Sequence, residues 1–341
     1  MERSTLKNSK INRSSFLFYI VYIFLSMLLC GLIINVDWFY FSSLRYDLDT
    51  YTYERILDSG GYDPTFLYGK SLMELLTSEA IWSILLTYVN EFFTSNFIVF
   101  ILIPCLIIFS YSLYISKKSN YFYIMLLMHP ICLMFYLNQL RLAFAFAVFY
   151  LIIVFFKGKL KLFLLPLLFF IHTSMVFFLF VFFVINYIIN LKNSEFKKII
   201  YLLVLGGISA YITGPFVSNI LYFLGDRRAD SYSTDEWQTS ILTSFYCMFF
   251  ILVICLNFIV VKSKKINFEI STSIVFFFMV AISPMLTGGY PFRFLSAVFP
   301  VVIVSFYYLN SVFKYLSIFT LLIIGFYIGL FQLNLVRYFG F

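Results

Sequence analysis

The sequence predicts an all-α polytopic membrane protein, built as one domain over residues 1–341. Three observations carry that reading. The chain is 62% hydrophobic and 12% charged, with a mean hydropathy of +0.95, which is more apolar side chain than a soluble core of this size can bury. Apolar runs recur along the whole length, each near the ~20 residues a helix needs to cross roughly 30 Å of hydrocarbon. Lysines gather in the short linkers between those runs: Lys7/Lys10, Lys117/Lys118, Lys157/Lys159/Lys161, Lys192/Lys197/Lys198, Lys262/Lys264/Lys265 and Lys314. That distribution is the positive-inside pattern of cytoplasmic loops. The net charge of 24 − 16 = +8 therefore speaks for a bilayer partner and not for nucleic acid.

With the lysine clusters fixed inside, the elements follow in order. Phe16–Val36 is a retained first span that exits, being too long for a signal peptide and lacking a small-residue cleavage site. The segment Asp37–Ser78 then lies outside. Glu79–Phe93 repeats Ile81, Trp82, Leu85, Leu86, Val89, Phe92 and Phe93 at helical spacing, as an amphipathic helix on the outer surface does. Phe97–Ile115 returns, Tyr121–Leu137 exits with His129 and Pro130 at a kink, and Gln139–Phe156 returns. Parity between Lys161 and Lys192 demands two short helices with an outer turn at His172, Thr173 and Ser174. Ile199–Thr213 exits, Ile241–Val261 returns and Ile270–Met285 exits. The chain turns outside at "TGGYPFR", Thr287–Arg293. Phe294–Tyr308 returns and Leu316–Leu335 exits. The total is about eleven crossings, two of them short, with outer loops at 37–96, 214–240 and 286–293. The five cysteines all sit in apolar runs with no CxxC and no metal spacing, so they are expected to be inert thiols.

The charges sort by face. Outside lie Arg45, Arg55, Arg141, Arg227, Arg228, Arg293 and Arg337 against Lys70 alone, while the inner face holds the remaining lysines with Arg3 and Arg13. Guanidinium offers a planar fork that takes phosphate or carboxylate oxygens in pairs. Local acids such as Asp47, Asp58, Asp226 and Asp230 suffice to explain some of these arginines, but none lies near Arg141 or Arg293 in sequence. Arg141, His172 and Arg293 share a placement at or just before the first turn of a helix running inward. Asn138 is the expected N-cap for Arg141's helix, Thr173 or Ser174 for the next, and Pro291 opens the last. Helix N-termini carry unpaired N–H donors and roughly half a positive charge. Together with arginine they suit a dianionic headgroup at the membrane surface. Simple snorkelling to lipid phosphates is the rival account of each arginine. No carboxylate is expected inside a span, which argues against an ion-coupled transporter.

These residues resemble the Wzy-type O-antigen and capsule polymerases, in particular the EpsG-like family. The likeness rests on "NQLR" opening a span (Asn138, Gln139, Arg141), on "LFFIHTS" (His172, Ser174), and on "DLDTYTYERI" in the first outer loop (Asp49, Tyr51, Tyr53). It extends to the acid that opens the following apolar segment (Glu79), to Arg293 before a late span, and to "GDRRADSY" (Arg227, Arg228, Tyr232). Leu142-Ala143 stands where members commonly carry Gln-Gly or Gln-Ala. The resemblance implies a GT-C-like or O-antigen-ligase-like membrane fold in the bacterial inner membrane, with the site facing the periplasm. It implies metal-independent glycosyl transfer: a growing glycan on undecaprenyl diphosphate passes en bloc to a new lipid-linked repeat unit, in O-antigen, lipopolysaccharide or exopolysaccharide synthesis. A flippase and a chain-length regulator are the partners it implies. In that scheme Arg141 and Arg293 hold the leaving diphosphate. Arg227 or Arg228 clamps the second lipid or the glycan, and Asn138, Gln139, Asp49, Tyr51 and Tyr232 line the substrate. The acceptor hydroxyl needs a base, with His172 favoured and Asp49 next. An O-antigen ligase shares leaving group and face but normally carries a larger outer loop than Gly214–Thr239. A flippase or other transporter would want a polar path through the bilayer. A membrane acyltransferase would want an acid near its histidine.

Overall fold

The computed structural model describes residues 19–32, 34, 49–63, 65, 68–214, 216, 219, 222, 241–261, 265–286 and 291–332. Among them every regular element is a helix. In chain order these are α1 (Tyr19–Leu32), α2 (Asp49–Asp58), α3 (Leu72–Thr77), α4 (Ala80–Asn90) and α5 (Phe97–Lys118). A 3₁₀ segment, Tyr121–Met128, leads to α6 (Pro130–Asn138), α7 (Leu140–Phe155) and α8 (Gly158–Leu164). A second 3₁₀ segment, Leu165–Phe170, leads to α9 (Met175–Asn190), α10 (Glu195–Thr213), α11 (Ile241–Val260), α12 (Phe268–Ile282), α13 (Pro291–Ala297), α14 (Phe299–Tyr307) and α15 (Ser311–Gln332).

Among the described residues, four helices are long and apolar enough to cross a membrane: Phe97–Lys118, Glu195–Thr213, Ile241–Val260 and Phe268–Met285. Tyr19–Leu32, Leu140–Phe155, Met175–Asn190 and Ser311–Tyr327 are apolar but shorter. The chain is a multi-pass helical membrane protein. Its outward faces carry bare aromatic and aliphatic side chains such as Phe24, Phe180, Phe183 and Phe326, as helices bathed in lipid do.

The bundle is organised around α12, which packs against α9, α10, α11 and α14. Contact with α10 is close because of Gly206, where a Cβ would come within 2.8 Å of the Val275 carbonyl oxygen; small residues let membrane helices approach this way. A second layer pairs α5 with α7, where the Tyr111 hydroxyl donates to the Ala143 carbonyl at 3.1 Å and Ser110 donates to Ala147. Tyr111, Tyr114, Tyr136, Phe146 and Tyr150 fill that interface.

Several sequence expectations change in detail. The apolar run after Lys118 is broken at His129, which is buried, accepts the Ile131 N–H at Nδ1 and places Nε2 3.1 Å from the Leu321 carbonyl. Proline at 130 cannot donate, so the histidine takes over the start of α6. The run expected as Phe294–Tyr308 is two helices, α13 and α14, meeting at Val298. Asn138 is the last residue of α6 and not the N-cap of α7; that place falls to Gln139, whose side chain makes no cap bond. Ser174 is the N-cap of α9 but makes no side-chain cap bond. The surface helix Glu79–Phe93 is shorter than expected and tucked into the bundle by Trp82 and Leu86, with Phe92 and Phe93 exposed beyond its end.

Carboxylates are buried after all, though at helix ends. Glu269, in the first turn of α12, is 4% exposed and pairs with Lys118 at 3.1 Å. The Tyr308 hydroxyl donates to the Lys118 carbonyl at 2.9 Å. These groups knit the end of α5, the start of α12 and the end of α14, at the lysine-rich end of the bundle. Helix α7 and the pair α13–α14 run from the other end towards it, and that other end holds the candidate site.

Candidate functional site

Five segments distant in sequence meet around the starts of α7, α9 and α13. Helix α2 carries an acid, Asp49, in its first turn and a base, Arg55, in its last, the charge order that suits the helix dipole. The Asn90 side chain donates to the Leu57 carbonyl at 3.1 Å, tying α2 to α4. The Thr87 hydroxyl binds both backbone groups of Tyr62, at 3.2 and 3.1 Å, where Gly61 turns at φ +79°. Tyr53 is buried edge-on against Trp82, with ring centroids 5.3 Å apart, and Trp82 lies against Phe144 of α7 at 5.6 Å. This aromatic wedge holds α2 and α4 over the first turns of α7.

Arg141 stands in the opening turn of α7. Its guanidinium lies 5.5 Å from the centre of the Tyr53 ring, and its Nη1 donates to Oε2 of Glu79. The partner acid comes from 62 residues away, so no local reading of the sequence reveals it. Glu79 is 2% exposed and precedes α4 with φ 52° and ψ 52°. It is the one non-glycine residue with positive φ among the described residues. The left-handed conformation costs a side-chain-bearing residue about 1–2 kcal/mol, and such strain concentrates at functional sites.

The other oxygen of Glu79, Oε1, lies 3.8 Å from Nε2 of His172. His172 sits in the tight turn ahead of α9. The backbone N–H of Ser174 donates to its Nδ1 at 3.2 Å, and the Ser174 hydroxyl lies 2.8 Å from the same nitrogen. An N–H can only donate, so Nδ1 is an acceptor and the neutral ring carries its hydrogen on Nε2, facing Glu79. No acid lies near His172 in sequence, but in space Glu79 is its neighbour.

Asp49 is half-buried. Burial lifts its carboxyl above the usual carboxylate range, Arg141 and Arg293 pull it down, Glu79 pushes it up, and the Leu140 N–H it accepts lowers it again. The mouth of α7 is thus lined by Asp49 on the backbone N–H and by Glu79 on the arginine. Arg293, in α13, reaches the same field. Of the remaining expected residues, Gln139 is half-buried at the turn between α6 and α7, and Tyr51 packs edge-on against Phe100 at 5.4 Å. Asn138 closes α6. Arg227, Arg228 and Tyr232 lie outside the described residues.

Fold and site together define a class: a polytopic helical membrane protein in which two arginines, two carboxylates and a histidine gather at one end of its helices. Its family can be stated as well. The chain belongs to the EpsG family, whose model matches residues 28–340, and that membership points to a polysaccharide-polymerase type of role. No curated protein and no solved structure matches the chain.

Proposed function

We propose that the protein polymerises lipid-diphosphate-linked oligosaccharide repeat units, transferring the growing glycan en bloc to a new lipid-linked repeat at the periplasmic face of the bacterial inner membrane. The observation that carries this is the meeting of Arg141 and Arg293 around Asp49 at the start of α7, in a chain of the EpsG family. Glycosyl transfer from a lipid diphosphate develops negative charge on the leaving group, and preorganised cations aimed at that charge lower the barrier. In the proposed step the acceptor sugar hydroxyl attacks the anomeric carbon of the donor. The bond from that carbon to the diphosphate oxygen breaks, the lipid diphosphate departs with the electron pair, and the hydroxyl proton passes to a protein base. No metal, nucleotide or other cofactor enters this balance. The reading keeps about eleven crossings and a GT-C-like or ligase-like arrangement as part of the proposal.

For the base, the geometry favours Asp49 over His172. Both ring nitrogens of His172 are turned to groups of the chain itself, Nδ1 to Ser174 and Nε2 to Glu79. Asp49 is a carboxylate whose proton affinity burial raises, which suits a general base working near neutral pH. Gln139, Tyr51, Asn138, Arg227, Arg228 and Tyr232 are assigned to substrate binding on the resemblance alone.

Deletion of the gene in its host tests the reading against its rivals. A surface-glycan ladder that collapses to a single repeat supports polymerisation; bare core instead indicates an O-antigen ligase or a flippase. Sidedness is tested on a chain stripped of native cysteines. A new cysteine at Asp49 should react with an impermeant thiol reagent in spheroplasts, and one at Lys159 should not.

A further inference from the structure

We infer that Glu79 is a positioning residue for the transfer, the carboxylate through which His172 fixes the guanidinium of Arg141. Two hydrogen bonds and one longer electrostatic contact join three helix starts. Ser174 N–H holds Nδ1 of His172 at 3.2 Å, Nε2 of His172 faces Oε1 of Glu79 at 3.8 Å, and Oε2 of Glu79 accepts from Nη1 of Arg141. The Glu79 side chain is 3% exposed against 26% for Arg141 and 17% for His172. The carboxylate is therefore the inner member of the set, while the arginine keeps a face towards the site mouth. The assignment rests on the proposed role of Arg141 in holding an anionic leaving group.

The backbone supplies an independent observation. At φ 52° a glycine would sit without strain. A glutamate there is strained, and what it adds over glycine is the carboxylate that meets Arg141 and His172 at once. That carboxylate orients a planar fork, because a guanidinium free to rotate about its stem loses the alignment of its two outward N–H groups. Glutamine cannot substitute: the amide carries no charge, and its NH₂ would point at the guanidinium of Arg141 or at the Nε2–H of His172, donor against donor.

The test uses the full-length protein in detergent, with a synthetic lipid-diphosphate-linked repeat as both donor and acceptor. Glu79→Gln should fold and accumulate as wild type, judged by size-exclusion profile and melting temperature, yet lose at least 10-fold in kcat. Glu79→Asp keeps both acceptor oxygens and should recover part of that loss. Combining Glu79→Gln with Arg141→Lys should be no worse than Arg141→Lys alone, because a residue acting through Arg141 has nothing left to position. Wild-type kcat in Glu79→Gln, or losses that multiply in the double variant, would overturn the inference. A fall in activity that only tracks loss of folded protein would also overturn it. Wild-type activity in Arg141→Lys would instead sink the diphosphate reading beneath it, so the two failures are distinguishable.

Discussion

Replacing Arg141 by lysine separates a diphosphate-holding role from mere anchoring at the membrane surface. Removing the charge altogether would leave Glu79, with a side chain 3% exposed, as an uncompensated buried carboxylate. Breaking a buried pair costs ~3–5 kcal/mol; the 26% exposure of Arg141 places this one below that range, but still high enough to confuse misfolding with lost function. Lysine keeps the charge and so keeps Glu79 compensated. What it loses is the fork, the second N–H that can face a phosphate oxygen while the first stays on Glu79. One charge-assisted contact is worth about 1.5–3 kcal/mol, which at ~1.4 kcal/mol per decade is about 10- to 100-fold in kcat/KM. Loss of a preorganised donor in a transition state costs about 10²–10³ in rate, so the expected fall lies near 100-fold. Two assays read it: the surface-glycan ladder at matched protein level, and turnover of a lipid-diphosphate-linked repeat by purified protein. Snorkelling requires only a long cationic side chain, which lysine supplies equally. A wild-type ladder and turnover in Arg141→Lys would refute the reasoning.

Three further outcomes are expected. His172→Gln retains an acceptor for the Ser174 N–H and a donor for Glu79, so it should keep at least a tenth of wild-type turnover while His172→Ala loses nearly all of it; an inactive Gln variant at normal protein level would return the base role to His172. Because burial holds the Asp49 carboxyl above its unfolded value, the folded state binds that proton more tightly. This contribution to stability is therefore complete below the unfolded pKa of about 3.9 and is lost as pH rises through the native value. Asp49→Asn should accordingly melt higher than wild type at pH 7, with the gap closing towards pH 4, and should make no polymer; a lower melting temperature at pH 7 would contradict this. Gly206→Ala would place a Cβ 2.8 Å from the Val275 carbonyl oxygen, a backbone atom that cannot swing aside, and overpacking of this kind costs about 1–3 kcal/mol. The variant's melting temperature in detergent should fall, and an unchanged value would show that α10 and α12 can part without cost.

Much of the architecture was legible because lipid is a simple solvent. Apolar runs bounded by lysine clusters located the helices α5, α7, α9, α10, α11 and α12 within a few residues, since a helix in hydrocarbon must be apolar along its length and satisfied in its own backbone. Arg141, His172 and Arg293 were legible as a set because parity put three helix starts on one face. Local bonding was not legible. The kink at His129 and Pro130 was visible, but the capping of α7 depends on where the Asp49 carboxylate arrives from another segment. Glu79 could be noticed as an acid opening an apolar stretch, but its partners lie at Arg141 and His172, and its left-handed backbone leaves no trace in the residue type. The sequence by itself determined the membrane class, the helices and which groups share a face. Tertiary structure alone decided which acid meets which base, because an ion pair requires a few ångströms in space and is indifferent to the separation of its partners along the chain.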